Sequence, residues 1–444
     1  MSSFTSASIL LTDTCNLNCK YCFEKNNSSK GKFMSNEIGE KTIDLLIHDA
    51  LVNNKTSISV SYFGGEPTLN INTMNHIFNY AMDQCKKHGL KYNSELITNG
   101  VLYNNEYEQF LTNWWVNNPE SFSIQLSFDS IPRINDLQRI DHAGNGSSHN
   151  IIETIKKLRA LFDKLDIPSN KLSVHSVITK ATLPYAHESY IFFKNILRFD
   201  KIWFMPLHEE NWDENDYVIF REQYTHIANA IIEDCENSGG NYKQFSSMVY
   251  KERHADKTCG AGVSFCTVAP DGYIYPCHAF MNDPDTIIGD VFNGINTLKC
   301  APYEEMYKKY MTGYKACSEC KNYNCKSCMA INYIENGNIA YGFPKYCKLL
   351  EVEMELSIYV YERLFGKIHR DHEVSITVLQ EMGRLLTDNF TEGQIITLQH
   401  LLELHELLIT EKVSRMINEK GCSCNDTCKN NNRTNGDDDI RCGA

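Results

Sequence analysis

The sequence predicts an α/β protein, a partial (β/α)6 TIM-type barrel followed by a cysteine-rich domain and C-terminal helices. Three observations carry this. Residues 1–237 alternate short β-branched or apolar runs with longer stretches of helical apolar spacing, the order of a parallel sheet with right-handed crossovers. The 18 cysteines of the 444-residue chain are clustered rather than scattered. Helical periodicity resumes after Cys347.

The strand candidates are Ser8–Thr12, Ile58–Phe63, Glu95–Thr98, Ser123–Phe128, Leu172–Ile178 and Ile202–Met205. Between and after them, Glu37–Leu51, Met74–His88, Glu106–Trp115, Ile151–Leu165, Tyr190–Leu197 and Asp216–Glu236 have helical spacing. Six such units make an incomplete barrel, and its functional residues belong at the C-terminal strand ends. The turn composition of Ser238-Gly-Gly-Asn241 marks a boundary. The segment 238–347 is rich in Cys, Gly and Tyr and has few long periodic runs, so metal is the simplest agent to hold it together. In the helical region 348–420, Leu349–Leu364, Val374–Leu386 and Glu392–Asn418 are periodic, and Thr391–Gln394 has the form of a capping box. The polar, Asn-rich stretch 421–444 is expected to be a flexible tail.

With 43 Lys+Arg against 56 Asp+Glu, the formal charge of −13 argues against nucleic acid or an anionic membrane as partner. No apolar run approaches the roughly 20 residues of a membrane helix. Met1–Thr14 lacks the basic region of a signal peptide, and a cytoplasmic protein is expected. In such a chain abundant cysteine points to metal rather than disulfides. Three cysteines fall in 15–22, three in 259–277, five in 317–347 and four in 422–442; the isolated Cys85, Cys235 and Cys300 read as buried apolar residues.

Cys15-x3-Cys19-x2-Cys22 follows the first strand directly. Three thiolates in one loop can hold three irons of a four-iron cluster and leave the fourth iron open. A structural zinc site usually wants four protein ligands. The run Thr14-Cys-Asn-Leu-Asn-Cys-Lys-Tyr-Cys-Phe23 resembles the signature of radical S-adenosylmethionine (SAM) enzymes, and further elements of that family follow in order over about residues 7–237. Gly64-Gly65-Glu66-Pro67 ends the second strand like the family's GGEP motif; the resemblance implies that the glycine backbone and Glu66 receive the methionine amino group. Asn99 ends the third strand. Ser127 and Asp129 end the fourth and resemble contacts to the SAM carboxylate and ribose, and Arg139 is expected to pair with the carboxylate. Ile178 resembles the residue packed on adenine, and Tyr21 and Phe23 flank Cys22 near the same ring. Singly, each position has a bland reading as turn, cap or core residue; their joint order is what carries the resemblance.

Cys259, Cys266 and Cys277, then Cys317, Cys320, Cys325, Cys328 and Cys347, supply eight thiols, enough for two four-thiolate clusters. The hairpin Val268–Cys277 and this spacing resemble a SPASM domain, although C-x2-C-x4-C-x2-C is shorter than the family's C-x2-C-x5-C-x3-C. By that resemblance Cys259, Cys266, Cys277 and Cys328 hold the first auxiliary cluster, and Cys317, Cys320, Cys325 and Cys347 the second. The competing reading is a pair of zinc sites. The implied cofactors are SAM and three 4Fe-4S clusters.

The implied activity is that of a ribosomal-peptide (RiPP) maturase: SAM is cleaved to a 5′-deoxyadenosyl radical, a peptide hydrogen is abstracted and a crosslink forms, with a Cys thioether leading. The alternatives are carbon–carbon crosslinking and oxidation of Cys or Ser to formylglycine, as in anaerobic sulfatase maturation. His278 stands where those maturases carry an acidic residue after the cysteine of Gly-x4-Cys, which ranks that reading lower. An iron–sulfur electron carrier or a lapsed, peptide-binding relative is the non-enzymatic alternative; neither pattern needs both the cluster loop and the SAM-contact positions. The expected partners are a Cys-containing precursor peptide and a reductant such as flavodoxin or ferredoxin. With Cys15 this early, no N-terminal recognition module is expected, so leader recognition is expected from the C-terminal helices or a separate protein, or to be dispensable. Cys422, Cys424, Cys428 and Cys442 do not have the spacing of a regular ligand loop and are expected to be adventitious thiols, the alternative being a substrate-handling or metal-scavenging tail.

Overall fold

The computed structural model describes residues 3–22, 31–119, 121–237, 259–311, 328–340 and 344–365. Phe23, Cys317, Cys320, Cys325, the helices expected at Val374–Leu386 and Glu392–Asn418, and the stretch 421–444 lie outside the described residues.

Six strands, β1 (Ser6–Leu10), β2 (Ser57–Phe63), β3 (Lys91–Thr98), β4 (Phe122–Ser127), β5 (Leu172–Ile178) and β6 (Lys201–Pro206), pair in parallel in chain order. The crossovers carry α1 (Asn36–Val52), α2 (Ile71–His88), α3 (Asn105–Asn117), the short α4 (Pro132–Asn135), α5 (Ser148–Leu165) and α6 (Ala186–Ile191), and α7 (Glu214–Asn237) follows β6. The expected α/β partial barrel is therefore present. Its helix starts follow local chemistry: Ser35 accepts from Ile38 N at the start of α1, and Asn104 accepts from Tyr107 N at the start of α3.

The cysteine-rich segment continues the same sheet. β7 (Phe265–Val268) pairs in parallel with β1, and β8 (Tyr273–Tyr275), β9 (Gly289–Asp290) and β10 (Gly294–Ile295) add antiparallel strands beyond it. Helices α8 (Thr297–Met311), α9 (Met329–Asn336) and α10 (Pro344–Phe365) complete the described chain. The sequence boundary at 238 does not separate two contact units. Met1–Ile231 and Lys243–Val360 form one compact unit, and Ile232–Tyr242 with Tyr361–Ala444 form another. The reason is β7: its ladder with β1 makes the segment an extension of the barrel sheet.

Register separates the two faces of the sheet. One row runs Cys266, Ala7, Val60, Ser94, Phe122, and the next Val268, Ile9, Tyr62, Leu96, Ile124, Leu172. These rows face the helices: Phe78 of α2 lies 5.5 Å from Tyr92 and 5.9 Å from Phe122 between ring centroids. Trp114 of α3 and Trp115 beside it close on Phe122, and Trp115 meets Phe162 of α5 at 4.7 Å. Each such aromatic pair adds about 0.5–1.5 kcal/mol beyond its buried area. The Tyr62 and Tyr92 hydroxyls satisfy each other at 2.7 Å inside this layer.

The opposite face is polar. Ser8, Ser61, Glu95 and Ser123 form one row; Ile97, Gln125, Ser173 and Lys201 another; Ser127, His175 and Trp203 a third. A two-sided apolar pattern is usual for a parallel sheet. Here the interior face is open and polar, with Trp203 and Met205 of β6 exposed.

Candidate functional site

The C-terminal ends of β1 to β5 converge on the cysteine loop. The chain leaves β1 through Thr12 and Asp13, whose Oδ1 accepts from Gly31 N at 2.7 Å and Lys32 N at 2.9 Å. Residues 17–20 are then strapped along the loop after α4: Asn18 N donates to Ile140 O, Lys20 N to Gln138 O, and the His142 ring meets Cys15 O at 2.9 Å.

The end of β2 lies against the start of this loop. Gly65 N donates to Thr12 O at 2.7 Å and Glu66 N to Thr14 O at 2.9 Å. A side chain at Gly64 (φ +140°) would place its Cβ 2.3 Å from Thr12 O, and one at Gly65 would place it 2.3 Å from Thr14 O. Only glycine permits this approach. Pro67 then opens a short helical turn, Pro67–Asn70.

Glu66 is where the structure departs most from the sequence expectation. It is fully buried, and its carboxylate faces the protein. Oε1 accepts from Thr68 N (3.1 Å), Thr68 Oγ1 (2.6 Å) and Thr98 Oγ1 (2.7 Å), while Oε2 accepts from Asn99 N (2.7 Å). Burial raises its pKa against these donors. Glu66 is thus a positioning residue that ties the β2 end to the β3 end rather than a freely presented receptor for an amine. It acts on the loop through Asn99, whose Nδ2 donates to Asn16 Oδ1 at 2.7 Å and reaches Cys15 Sγ at 3.7 Å.

Asp129 and Arg139 are likewise turned inward. Asp129 Oδ2 accepts from Tyr21 OH (2.7 Å) and Gln138 Nε2 (3.0 Å), and Oδ1 from Val177 N (3.2 Å). Arg139 Nη1 donates to Tyr21 OH at 2.6 Å and lies 3.7 Å from Asp129 Oδ1. Burial raises the Asp129 pKa and the Arg139 guanidinium opposes it. Tyr21, expected near adenine, instead bridges the cysteine loop to this buried ion pair. Ser127 faces the open interior opposite His175. Ile178 is fully buried with the strand parity of the helix-facing Val174, so Val177 takes the interior position on β5.

The thiol of Cys15 in the loop is largely buried and is held by the backbone. Cys15 Sγ accepts from Leu17 N at 3.3 Å, and burial, with the Glu66 carboxylate, pushes its thiol up to about 12. Cys19 and Cys22 are the other charges it senses in the loop. Among the described residues no three His, Cys, Asp or Glu side chains are disposed around a single ion.

Of the cysteines assigned to the first auxiliary cluster, Cys259, Cys277 and Cys328 lie near enough for their thiols to perturb one another. Cys277 is pushed up to about 12 by burial, then by the Cys328 and Cys259 thiols; Cys328 is raised by burial and by Cys259. Cys266 is not among them; its charged neighbours are Asp49 and Cys300. Cys347, at the start of α10, is half-buried.

Sequence reasoning missed a group of imidazoles. His278 meets the interior-facing Phe63 at 5.4 Å, and His175 on β5 and His208 after β6 both sense its charge. Burial pushes all three down to about 4. His175, Glu95 and Gln125 were legible as polar residues recurring at period two in parallel strands.

Comparison with known proteins agrees with this fold. Residues 9–170 match the model of the Radical SAM superfamily. The chain is 23% identical over 382 residues to the radical SAM cyclopropyl synthase TigE of Paramaledivibacter caminithermalis, covering 80% of this chain and 75% of the relative. It is 27% identical over 291 residues to a cysteine-type anaerobic sulfatase-maturating enzyme of Clostridium perfringens, covering 61% and 72% respectively. The structure of native anSMEcpe with bound AdoMet superposes with a TM-score of 0.58 at 22% identity over 81% of this chain and 99% of that one, a likeness of fold.

Proposed function

We propose, on the premise that this chain is a SAM-dependent, iron–sulfur radical SAM enzyme, that it is a peptide maturase that joins a cysteine sulfur to a carbon of the same peptide. The observation that carries the reading is the polar, open barrel interior directly beneath the cysteine loop, with Ser127, Gln125, Glu95, His175 and Trp203 on one face. An extended peptide has backbone donors and acceptors to satisfy, and such a lining supplies partners that an apolar barrel cannot. A relative's structure is described as anSMEcpe with bound AdoMet and the Cp18Cys peptide, which supports a peptide as the substrate class.

In this reading Cys15, Cys19 and Cys22 hold one 4Fe-4S cluster, and bound SAM supplies the 5′-deoxyadenosyl radical that removes hydrogen. The chain's own residues fix the site. Gly64 and Gly65 let the β2 end close on the loop, Glu66 and Asn99 hold Cys15, and Tyr21 with Asp129 and Arg139 anchors the far side. SPASM-type clusters on the cysteines of 259–347, three 4Fe-4S clusters in all, and a flavodoxin- or ferredoxin-class reductant complete the proposal. Among the described residues no helix is long and apolar enough to cross a membrane.

Cyclopropane formation is the second reading, favoured by the 382-residue match to TigE. Both reactions remove two hydrogens from the peptide, but only a thioether consumes a thiol. Mass spectrometry of a Cys-containing precursor after anaerobic turnover, followed by alkylation, separates them. Loss of two hydrogens with one fewer alkylatable thiol supports the thioether. Loss of two hydrogens with all thiols intact favours the carbon–carbon bond, and an aldehyde trapped by hydrazine favours formylglycine.

A further inference from the structure

We propose that the N-terminal mouth of the barrel, at the end opposite the cysteine loop, is a second peptide subsite that receives a carboxylate of the substrate about five residues from the modified one. The proposal rests on the peptide-maturase reading. It adds where the far end of the peptide is held and what charge that end carries.

The barrel interior is accessible along its length. On β2, β3, β4 and β6 burial alternates strictly: each helix-facing residue is buried and each interior-facing one is half-buried or exposed. A filled barrel carries bulky branched side chains inside, whereas here the interior rows hold Ser59, Ser61, Glu95, Ser123 and Gln125. Thr98, whose hydroxyl bonds Glu66, marks the cysteine-loop end of β3, and Asn93 lies near the other end. The steps between them span about 17 Å, the length of about five extended residues. A peptide held beneath the loop thus reaches the mouth with a short extended stretch.

At that mouth lies a cavity of about 570 Å³. Asn93, Ser123 and Lys201, interior-facing residues near the starts of β3, β4 and β6, line one side of it. Asp166, Asn170 and Lys171, from the turn before β5, line the other. The turn is built by specific bonds. Asp166 closes α5 with φ +54°, Lys171 N donates to Pro168 O, and Ser169 Oγ donates to Asp200 Oδ2. The last bond engages the carboxylate that precedes Lys201 in sequence. Lys201 itself makes no hydrogen bond or ion pair among the described residues, and Glu95, deeper in the interior, senses its charge.

The charge of the mouth selects the ligand. Two ammonium groups, Lys171 and Lys201, line the cavity against one carboxylate, Asp166, and Lys91 lies on the same face of β3 just beyond Asn93. In a chain of formal charge −13 this is a local reversal of sign. Ammonium groups with the amide donors of Asn93 and Asn170 and the Ser123 hydroxyl fit a carboxylate. On a peptide that is an Asp or Glu side chain or the C-terminus. Glu95 repels a carboxylate from the deeper interior and so holds the acidic group at the mouth.

The test uses the full chain, reconstituted anaerobically with iron, sulfide and SAM, and a photo-crosslinking probe, acetyl-Cys-Gly-Ser-Gly-Bpa-Asp, in which Bpa is p-benzoylphenylalanine. The probe is made with Asp or Asn at its last position and with a free or amidated C-terminus. Irradiation and peptide mapping should place the label within 119–123, within 166–171 or at Lys201. The Asp acid should label about two- to fivefold more than the Asn amide, the scale of a solvent-exposed ion pair. The Asp amide and the Asn acid separate the two sources of carboxylate, since the form that keeps the excess identifies side chain or terminus. In the double variant Lys171→Gln, Lys201→Gln the excess should vanish, with the urea midpoint as a control of folding. Lys201→Gln alone, at an exposed position, serves in its place if the double variant unfolds. Label that falls elsewhere, is indifferent to the probe's charge or keeps its excess in the variants overturns the proposal. Charge-dependent label at the mouth, with no loss of two hydrogens from Cys-containing precursors on turnover, leaves the mouth as a peptide site and overturns the maturase reading alone.

Discussion

Replacement of Glu66 distinguishes a residue that builds the site from one that meets the ligand. In Glu66→Ala two buried backbone N–H groups, Thr68 N and Asn99 N, lose their acceptor, whereas the Thr68 and Thr98 hydroxyls can rotate to others. An unsatisfied buried donor costs about 1–3 kcal/mol, so the pair costs about 2–6 kcal/mol. Relief of the carboxylate's own desolvation offsets part of this, leaving about 1–4 kcal/mol of destabilisation. Glu66→Gln keeps one acceptor but turns an amide N–H toward Asn99 N, at a cost of about 1–3 kcal/mol. The pH dependence has a definite sign. The native pKa of Glu66 is raised, so its protonation favours the fold below the ordinary carboxyl range, and that contribution is lost as pH rises through the raised native value. The advantage of wild type over Glu66→Gln should therefore shrink as pH rises through that window. Urea unfolding followed by far-UV circular dichroism reads the stability, and anaerobic equilibrium dialysis reads SAM affinity. A Glu66→Ala protein that unfolds at the wild-type midpoint yet binds SAM poorly would refute the inward role and restore Glu66 as a ligand contact.

Three other perturbations test the rest of the site. Changing Cys15, Cys19 and Cys22 together to Ala should remove about four irons and all SAM cleavage, read by iron assay and release of 5′-deoxyadenosine. Tyr21→Phe removes the hydroxyl between Arg139 and Asp129 and should cost about 1–3 kcal/mol in urea unfolding without loss of iron, because no thiol is touched. His175, depressed from 6.5 to about 4 by burial, binds its proton more readily in the unfolded chain, so stability is full above about 6.5 and falls by about 3 kcal/mol as pH drops toward 4. His175→Gln should flatten unfolding midpoints measured between those limits.

The cysteine loop and the strand order were legible because both are local. A loop must supply its thiols within a few residues, and each strand carries its own apolar run. All six strand candidates appear in the fold, within a few residues at their ends. The turn Gly64–Pro67 was legible for a similar reason, since glycine is demanded by backbone atoms of Thr12 and Thr14. The fates of Glu66, Asp129 and Arg139 were not legible. A charged residue at a strand end reads the same whether it faces a ligand or a buried partner, and the partners here lie up to 118 positions away, as Arg139 does from Tyr21. Cys266 shows the same limit. Its neighbours in sequence are cluster-like, but its neighbour in space is Ala7, 259 positions earlier along the chain.

The pairing of β7 with β1 explains how one sheet carries both the barrel and the cysteine-rich segment. A closed eight-stranded barrel fills its interior with side chains. Six parallel strands leave the sheet open, and polar residues such as Glu95 and His175 can remain inside without an apolar partner layer. The free edge of β1 would then expose unpaired backbone groups and invite association. β7 satisfies that edge, and the antiparallel β8 to β10 carry the sheet onward instead of closing it. The ladder fixes Cys266 on the helix side, while the turn after β8 carries His278 to the interior-facing Phe63. His278 is thereby held at the barrel's polar side. Proximity between the cysteine-rich segment and the barrel interior is thus a consequence of edge pairing, and it does not depend on a linker of particular length.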